Sequence, residues 1–458
     1  MGSYTRDKEE KIMKIVITGA GAVGTHLAKM LSVENEDVVL MDESEERLGK
    51  LESLFDLKAV VGSPTRISDL KNAGAGSADL FVAVTPDESS NINACIIAHY
   101  LGAKKTVARI DNHEYLLPKH KSYFNSLGIN SLIYPEKLAA EEIATSIKYC
   151  WMRQMLEFGN GALVMIGVKV RSNSKIINIP FRNLQRDNPY HIVAIQRKDE
   201  TIIPRGGDMI EADDLVCFMT TQSNIAYIKD LCGKERFSEV KNVIIMGGSR
   251  IAVRTAELVP DNISIKIIES DYARCNKLIE LVNDRVMIIN GDARDPELLR
   301  SEGIDHTDAF IALSDNSETN ILACLAAKRS GVYRTVAEIE NIEYISMAEE
   351  MDIGSVINKK KLAASNIFQM MLNTDVSSVR CLTFTDAVVA EFPVSEGSPI
   401  TKKAVKDLGL PSGANIGGLI RNGKGVNVSG NTMIEPGDHV IIFCLEHVLK
   451  KLEKYFNK

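Results

Sequence analysis

Residues Lys14–Gly24 read KIVITGAGAVG and residues Asn242–Ala252 read NVIIMGGSRIA, and the kinship of these two stretches decides the fold. Working outward, Val38–Leu48 (VVLMDESEERL) answers Ile265–Cys275 (IKIIESDYARC). Further on, Asp79–Tyr115 (DLFVAVTPDESSNINACIIAHYLGAKKTVARIDNHEY) answers Asp308–Tyr344 (DAFIALSDNSETNILACLAAKRSGVYRTVAEIENIEY). One offset of 229 links Thr85 to Ser314, Asn91 to Asn320 and Tyr115 to Tyr344. Downstream the offset becomes 224, linking Leu138 to Leu362, Arg197 to Arg421 and Asp214 to Asp438. A five-residue deletion in the second copy, between about 116 and 131, accounts for the change. Chance does not produce two constant offsets separated by one deletion, so the chain is a tandem duplication.

Each copy divides again. Its first part alternates short Val/Ile/Ala runs with amphipathic stretches, the pattern of βαβ units around a parallel sheet. In copy one the strands are expected near 14–18, 37–41, 58–61, 79–84, 105–109 and 130–133. They are apolar on both faces, as strands covered by helices on two sides must be. The second part, about 160–232 and 380–450, has shorter strands. A hairpin pair is expected there, closed by a turn at Ala212–Asp214 and repeated at Glu435–Phe443 (EPGDHVIIF), where Pro-Gly strengthens the turn signal. Between the parts a helix is expected over Pro135–Leu156 and again over about Lys359–Leu372, either covering its own sheet or crossing to a partner lobe. Leu138, Ile143, Ile147 and Trp151 supply its apolar face. The fold class is therefore α/β: two Rossmann-like, doubly wound parallel-sheet domains, each followed by a small α/β lobe. The boundaries read as 13–150, 151–235, 236–372 and 373–458.

At 458 residues the chain exceeds one hydrophobic core. A net charge of −7 argues against a nucleic-acid partner, which calls for a basic face. No run approaches the roughly 18–20 apolar residues that span a bilayer, and the polar start MGSYTRDKEEK is no signal peptide. The eight cysteines form no CxxC pair, so they read as small buried hydrophobes in a reducing cytoplasm.

Gly19-Ala20-Gly21-Ala22-Val23-Gly24 is GxGxxG directly between a strand and a helix. The first glycine permits the tight turn, the second admits a pyrophosphate, and the third lets helix and strand pack closely. The loop amides and the helix dipole would hold the diphosphate. Asp42, 18 residues past Gly24, ends the second strand and offers a carboxylate to ribose hydroxyls, favouring NAD(H) over its 2′-phosphorylated form. Its neighbour Glu43 is included with it. Gly62 and Ser63 follow strand three, Thr85, Pro86 and Asn91 follow strand four, and Arg109 ends strand five, all on the carboxyl edge where such sheets bind ligands. Thr85 and Asn91 have an alternative reading as caps of the next helix, and Arg109 as a surface ion pair.

In copy two the loop is Gly247-Gly248-Ser249-Arg250-Ile251-Ala252. Ser249 replaces the glycine that admits pyrophosphate, Ala252 the packing glycine, and Glu338 stands where copy one has Arg109. Glu269 keeps the ribose carboxylate, and Arg250 is placed to compensate for the lost cation. The reading is weaker binding, a different nucleotide or none, with one site per chain favoured. A dehydrogenase needs a placed acid or base. His191 and His439, one per lobe and not equivalent by the offset, lack an accompanying motif, and no nucleophile, zinc or Walker signature is present. A NAD-dependent dehydrogenase or reductase and a purely structural subunit remain as competing readings.

The two copies of the strand–glycine-loop–helix unit, each followed by a lobe such as IVAIQR…IIPRGGDMIEADD, resemble the TrkA family, peripheral NAD-binding subunits of Trk potassium uptake systems, and more widely the RCK (KTN) domains. The likeness runs from Met13 to the end of the chain. It implies a non-catalytic cytoplasmic regulator, peripheral on the membrane, that binds NAD(H) or else ATP or ADP. It further implies a tetrameric ring of RCK domains and a separate membrane potassium-translocating subunit of the TrkH/TrkG type. The family's glycine loop maps onto Gly19–Gly24 and Gly247–Ala252, its ribose acid onto Asp42 and Glu269, its strand-four threonine onto Thr85 and its strand-five arginine onto Arg109. Ser63 departs from the usual Gly-Asp-Ala, which copy two retains as Gly291-Asp292-Ala293.

Overall fold

The computed structural model describes residues 12–33, 36–184, 188–198, 200–235, 237, 239–371, 378–382, 387–445 and 448–456. The first parallel sheet is built from β1 (Lys14–Thr18), β2 (Asp37–Asp42), β3 (Lys58–Val61), β4 (Leu80–Ala83), β5 (Lys105–Arg109) and β6 (Ser131–Ile133), in the order β3-β2-β1-β4-β5-β6. Its helices are α1 (Ala22–Val33), α2 (Glu45–Glu52), α3 (Ile67–Asn72), α4 (Glu88–Leu101) and α5 (Pro118–Ser126). The order reverses between β1 and β4, the topological switch point of a doubly wound fold. Val16, Phe81, Ala83 and Ala108 are fully covered on this sheet, which explains the unbroken apolar runs in the sequence.

The helix α6 (Pro135–Lys148) ends eight residues before Leu156, where the sequence pattern had placed its end. Gln154–Phe158 is instead a strand, β7, antiparallel to β8 (Leu163–Lys169). Trp151 continues the helical spacing but lies in the turn between them. With β9 (Tyr190–Arg197), β10 (Glu200–Ile202) and β11 (Leu215–Thr220) these form a sheet ordered β10-β9-β11-β8-β7, closed by α7 (Ile225–Leu231). The expected turn before β11 is present: Asp214 N donates to Glu211 O, and buried Asp214 receives two hydrogen bonds from Arg197, at 2.9 and 2.7 Å.

Copy two repeats this plan. Strands β12 (Asn242–Met246), β13 (Ser264–Glu269), β14 (Val286–Asn290), β15 (Ala309–Ala312), β16 (Arg334–Glu338) and β17 (Ser355–Ile357) follow the first sheet's order. They alternate with α8 (Arg250–Leu258), α9 (Tyr272–Leu281), α10 (Pro296–Ser301), α11 (Ser317–Arg329) and α12 (Tyr344–Glu350), and α13 (Lys359–Met371) follows. The last lobe holds β18 (Ser378–Cys381), β19 (Ala387–Pro393), β20 (Ala414–Arg421), β21 (Lys424–Val426), β22 (His439–Leu445) and α14 (Leu449–Phe456). Arg421 grips buried Asp438 at 2.8 and 2.7 Å, as Arg197 grips Asp214 224 positions earlier.

Contacts divide the chain into two units, one of residues up to Pro135 with Lys360–Met371, the other of Glu136–Lys359 with Leu372 onward. The connecting helices are thus exchanged. In the first unit α13, from copy two, joins the first Rossmann sheet, and Lys361 helps hold His26 of α1 at a pKa of about 4, behind the larger effect of burial. In the second unit α6, from copy one, joins the second Rossmann sheet, where Ser146 Oγ accepts from Arg334 Nε at 3.2 Å. Of the two roles left open for this helix, it crosses.

Also within the second unit, the two small lobes share a core of Phe158, Met165 and Met219 from one with Val389, Ile441 and Phe443 from the other. His191 Nε2 lies 3.3 Å from Asn415 Oδ1, its own counterpart at the 224 offset. Both sheets carry a bulge at the same repeat position, Val193 in β9 and Gly417 in β20. A Cβ on Gly417 would lie 3.0 Å from Val193 Cγ1 and 2.9 Å from Phe443 Cε2. Equivalent residues meeting each other define a local twofold axis between the lobes. Gly417→Val is expected to destabilise the lobe pair by about 1–3 kcal/mol through overpacking, measured by denaturant unfolding, while leaving unfolding of the first unit in place.

Candidate functional site

The first glycine loop begins where β1 stops. Gly19 has φ +104°, a conformation costly for any side chain, and an added Cβ would lie 2.9 Å from Thr85 N. A Cβ on Gly24 would strike Gly19 O, so this glycine seats the start of α1 against the strand end. Around Gly21 nothing lies within 4 Å of a built Cβ. Gly21 O accepts from Thr25 N at 2.9 Å, so a residue with no side chain stands at the helix entrance. The amides of Ala22, Val23 and Gly24 in that first turn are the orphan donors that anions seek.

Asp42 is tied into this loop. Its Oδ2 accepts from Ala20 N at 2.6 Å and its Oδ1 from Ser44 N at 2.9 Å, with Arg47 Nη1 at 3.7 Å. The carboxylate therefore staples β2 to the loop, and each oxygen retains acceptor capacity for a hydroxyl. Glu43 and Pro86 are exposed beside it and beside Thr85 respectively. Gly62 N donates to Asp42 O at 3.0 Å, and Ser63 N donates to Asp69 Oδ2 at 3.0 Å, a bond that lowers the Asp69 pKa.

Asn91 and Thr85 do not cap α4; Asp87 does, accepting from Ser90 N at 2.7 Å. Asn91 is a buried clasp. Its Oδ1 accepts from Thr85 N at 2.9 Å and Thr85 Oγ1 at 2.7 Å, and its Nδ2 donates to Thr85 O and Arg109 O, both at 3.0 Å. The ends of β4 and β5 are thereby held together. Arg109 lies 3.5 Å from Asp111 through Nη2, while its Nε is buried with no hydrogen-bond partner among the described residues. Sequence reasoning missed Glu88, whose Oε2 accepts from Asp111 N at 2.5 Å and Asn112 N at 2.7 Å, fixing the loop after β5. The repeat offset carried the signal: Ser317, 229 positions on, accepts from Glu340 N at 3.0 Å in the same place.

Copy two keeps the scaffold and fills the opening. Gly247 has φ +94°, and Glu269 accepts from Gly248 N and Asp271 N, both at 2.8 Å, as Asp42 does. Asn320 repeats the clasp on Ser314 and Glu338 O. Ser249, however, is the N-cap of α8, its Oγ accepting from Ala252 N at 3.3 Å. A hydroxyl oxygen thus takes an amide of the helix turn, where the glycine of copy one has no side chain to offer. Arg250 is exposed and Ile251 buried at the start of that helix. Where copy one has Arg109, Glu338 is buried, its pKa raised by that burial, with Lys359 Nζ 3.1 Å away. Asp292 is matched by Arg294 at 2.7 Å.

The two histidines weighed as catalytic groups belong to the lobes' packing: His191 faces Asn415, and His439 Nδ1 lies 2.8 Å from Glu391. Among the described residues no group of three His, Cys, Asp or Glu side chains is arranged to hold a metal, and no helix is long and apolar enough to cross a membrane.

The room over Gly21, the first-turn amides of α1, the stapled Asp42 and Arg109 Nε, without a hydrogen-bond partner among the described residues, fit a nucleotide diphosphate in copy one. The fold and site define a class: tandem Rossmann domains of the dinucleotide-binding kind, each with a small RCK-type lobe. The TrkA-N domain model matches residues 15–135 and 243–359, and the TrkA-C domain model residues 165–233 and 389–457. The chain belongs to the TrkA family. It is 31% identical over 453 residues to a Trk system potassium uptake protein TrkA of Halomonas elongata, covering 97% of this chain and 98% of that one. Its identity to the same-named protein of Haemophilus influenzae is 33% over 456 residues, with the same coverage. In fold it is similar to the GsuK channel bound to NAD (TM-score 0.61, 18% identity, covering 98% of this chain and 79% of that one). The crystal structure of the GsuK RCK domain gives a TM-score of 0.60 at 18% identity, covering 98% and 96%.

The clasp generates a prediction. Asn91→Ala is expected to remove four hydrogen bonds and speed hydrogen exchange of the Thr85–Asn91 and Arg109–Asn112 amides by tenfold or more, about 1.4 kcal/mol of local opening. Mass-spectrometric exchange on the full chain reads this, and unchanged protection would sink the clasp.

Proposed function

We propose that this chain is a regulatory, non-catalytic subunit of a potassium uptake system that binds NAD(H) in copy one and controls a separate potassium-translocating membrane subunit. The observation that carries the reading is the difference between the loops: an open, uncapped helix start over Gly21 and a self-capped one at Ser249. In copy one the amides of Gly21–Gly24 would take the pyrophosphate, Asp42 the adenosine ribose hydroxyls, and Arg109 phosphate charge, with Gly62, Ser63, Thr85 and Pro86 lining the carboxyl edge and Asn91 acting through Thr85. ATP or ADP offers the same phosphate chemistry and competes for this site. In copy two the positions Gly247, Gly248, Ser249, Arg250, Ile251 and Glu269 form a scaffold that binds weakly or not at all.

Regulation then requires that nucleotide favour one arrangement of the domains over another, because a ligand shifts an equilibrium only by its differential affinity. A tenfold preference is about 1.4 kcal/mol per site, multiplied in a ring of four chains held at the cytoplasmic face of the membrane. The named relatives support the potassium role, and the ring and the TrkH/TrkG-type partner extend that reading.

Calorimetric titration with NADH, NAD+, ATP and ADP is expected to give about one saturable site per chain, without turnover. Asp42→Ala should weaken NADH by about tenfold or more, and Gly21→Asp should abolish binding. Steady NADH consumption with a metabolite would replace this reading with a dehydrogenase. Failure of all four nucleotides to bind would reduce the loop to scaffold.

A further inference from the structure

The first small lobe and the second Rossmann domain meet at a cluster of charges that does not balance. Asp352, in the turn after α12 with φ +52°, is met by four cations. Arg153 Nη2 lies at 3.0 Å, Lys169 Nζ at 3.6 Å, Arg171 Nη2 at 2.5 Å and Lys328 Nζ at 3.2 Å. Although burial pushes its pKa up, these cations outweigh it and hold the carboxyl down at about 2. Asp213 engages Arg171 from the solvent side. Glu349 acts on Arg153 as a further charge.

Two more cations lie within electrostatic reach and form no ion pair among the described residues, though the Lys234 ammonium stands over the Phe237 ring, 5.5 Å from its centre. Lys234 is 8% exposed, and among the described residues no carboxylate lies within 4 Å of its ammonium. Burial first, then Arg171 and Arg153, lower its pKa to about 8. Arg334 is 3% exposed; it spends Nε on Ser146, and its Nη2 is buried with no hydrogen-bond partner among the described residues. Burial and Arg153 pull its pKa to about 9, and Glu142 acts on it only at a distance, its own pKa raised to about 7 by burial. Neither histidine nor the glycine loops take part.

An unpartnered buried cation is expensive, and several of them around one carboxylate are more so. Evolutionary retention aside, the physical remedy is a counter-anion. Guanidinium and ammonium groups from β8, α11 and the segment after α6 meet at Asp352, and Lys234 and Arg334 act on the same group of cations from beside α7 and from β16; such donors match a tetrahedral oxyanion, which accepts from several at once. We propose that this junction is a second anion site, separate from the Rossmann loops, that binds a small phosphate-class dianion and draws the first lobe against the second Rossmann domain. The site does not rest on the nucleotide reading of copy one.

The test is thermal unfolding and phosphorus NMR of the full chain titrated with inorganic phosphate, against potassium chloride at equal ionic strength. A saturable rise in the melting temperature of the second unit is expected, with phosphate line broadening of one site per chain, unchanged in Gly21→Asp. Lys234→Gln separates ligand binding from a structural role by sign. Removing an excess cation should raise stability without phosphate and weaken phosphate binding about tenfold, whereas a lysine that merely stabilises the fold would lower stability in both conditions. Lys169→Gln, at the more exposed rim, provides a second variant with the same loss of phosphate response. A response equal to chloride overturns the proposal, as does a phosphate response untouched by both lysine variants. Loss of the response in Gly21→Asp also overturns it, by placing phosphate in the first glycine loop.

Discussion

The two small lobes bury one core between them, and that mutual burial is the constraint on which the second unit depends. Each is a five-stranded sheet that places Phe158, Met165 and Met219, or Val389, Ile441 and Phe443, on the face it shares with the other lobe, a face that no helix covers among the described residues. A face of this size exposed to water would be an association site. The duplication supplies the cover: the face of one lobe meets the same face of the other. Because the two surfaces derive from one sequence, the axis between them passes where a residue meets its own counterpart, at His191 and Asn415 and at Val193 and Gly417. Close approach there demands that one of the two bulge residues lose its side chain, and position 417 is glycine. A single-copy ancestor of this arrangement would need a second chain to do what the second copy does here.

The connecting helices follow the same logic. A parallel sheet must be covered on both faces, yet α6 and α13 each leave their own sheet for the other copy's. The exchange makes each contact unit depend on chain from both repeats. The chain passes from each repeat into the other's unit at the start of a helix rather than in a loop.

Much of this was legible in the chain and part was not, for physical reasons. Buried parallel strands announce themselves by unbroken apolar runs, and β1 to β6 fall where Lys14–Thr18, Asp37–Met41 and their successors suggested. The repeat offsets fixed the second copy without further evidence, and the Arg197–Asp214 and Arg421–Asp438 pairs confirm the 224 register in space. Trp151 and Leu156 keep the spacing of the helix that starts at Pro135, although Leu156 belongs to a strand whose alternation is too short to outweigh the helical pattern. Periodicity gives a helix an apolar face but not the sheet it will lie on, so the crossing stayed an open alternative. At the site, glycines and acids with fixed backbone roles were visible. The clasp of Asn91, the tether of Glu88 and the self-capping of Ser249 depend on side-chain direction, which spacing alone does not convey.

The two loops share one scaffold and differ in the groups around their openings. In both copies the same bonds hold the strand ends: an acid to the loop amide, an asparagine across two strands, a glycine at positive φ. These are conditions for the sheet edge to exist, and they persist in copy two. What differs is the set of groups that have no use in an empty fold. The uncapped helix start at Gly21 and the buried Arg109 Nε are costs that copy one bears. Copy two answers the first with the hydroxyl of Ser249 and replaces the second with Glu338, whose Oε1 lies 3.1 Å from Lys359 Nζ yet is itself buried without a hydrogen-bond partner among the described residues. Unsatisfied polar groups in a native protein call for a reason; at Arg109 the buried Nε stands on the carboxyl edge beside the open glycine loop, where an anion would satisfy it.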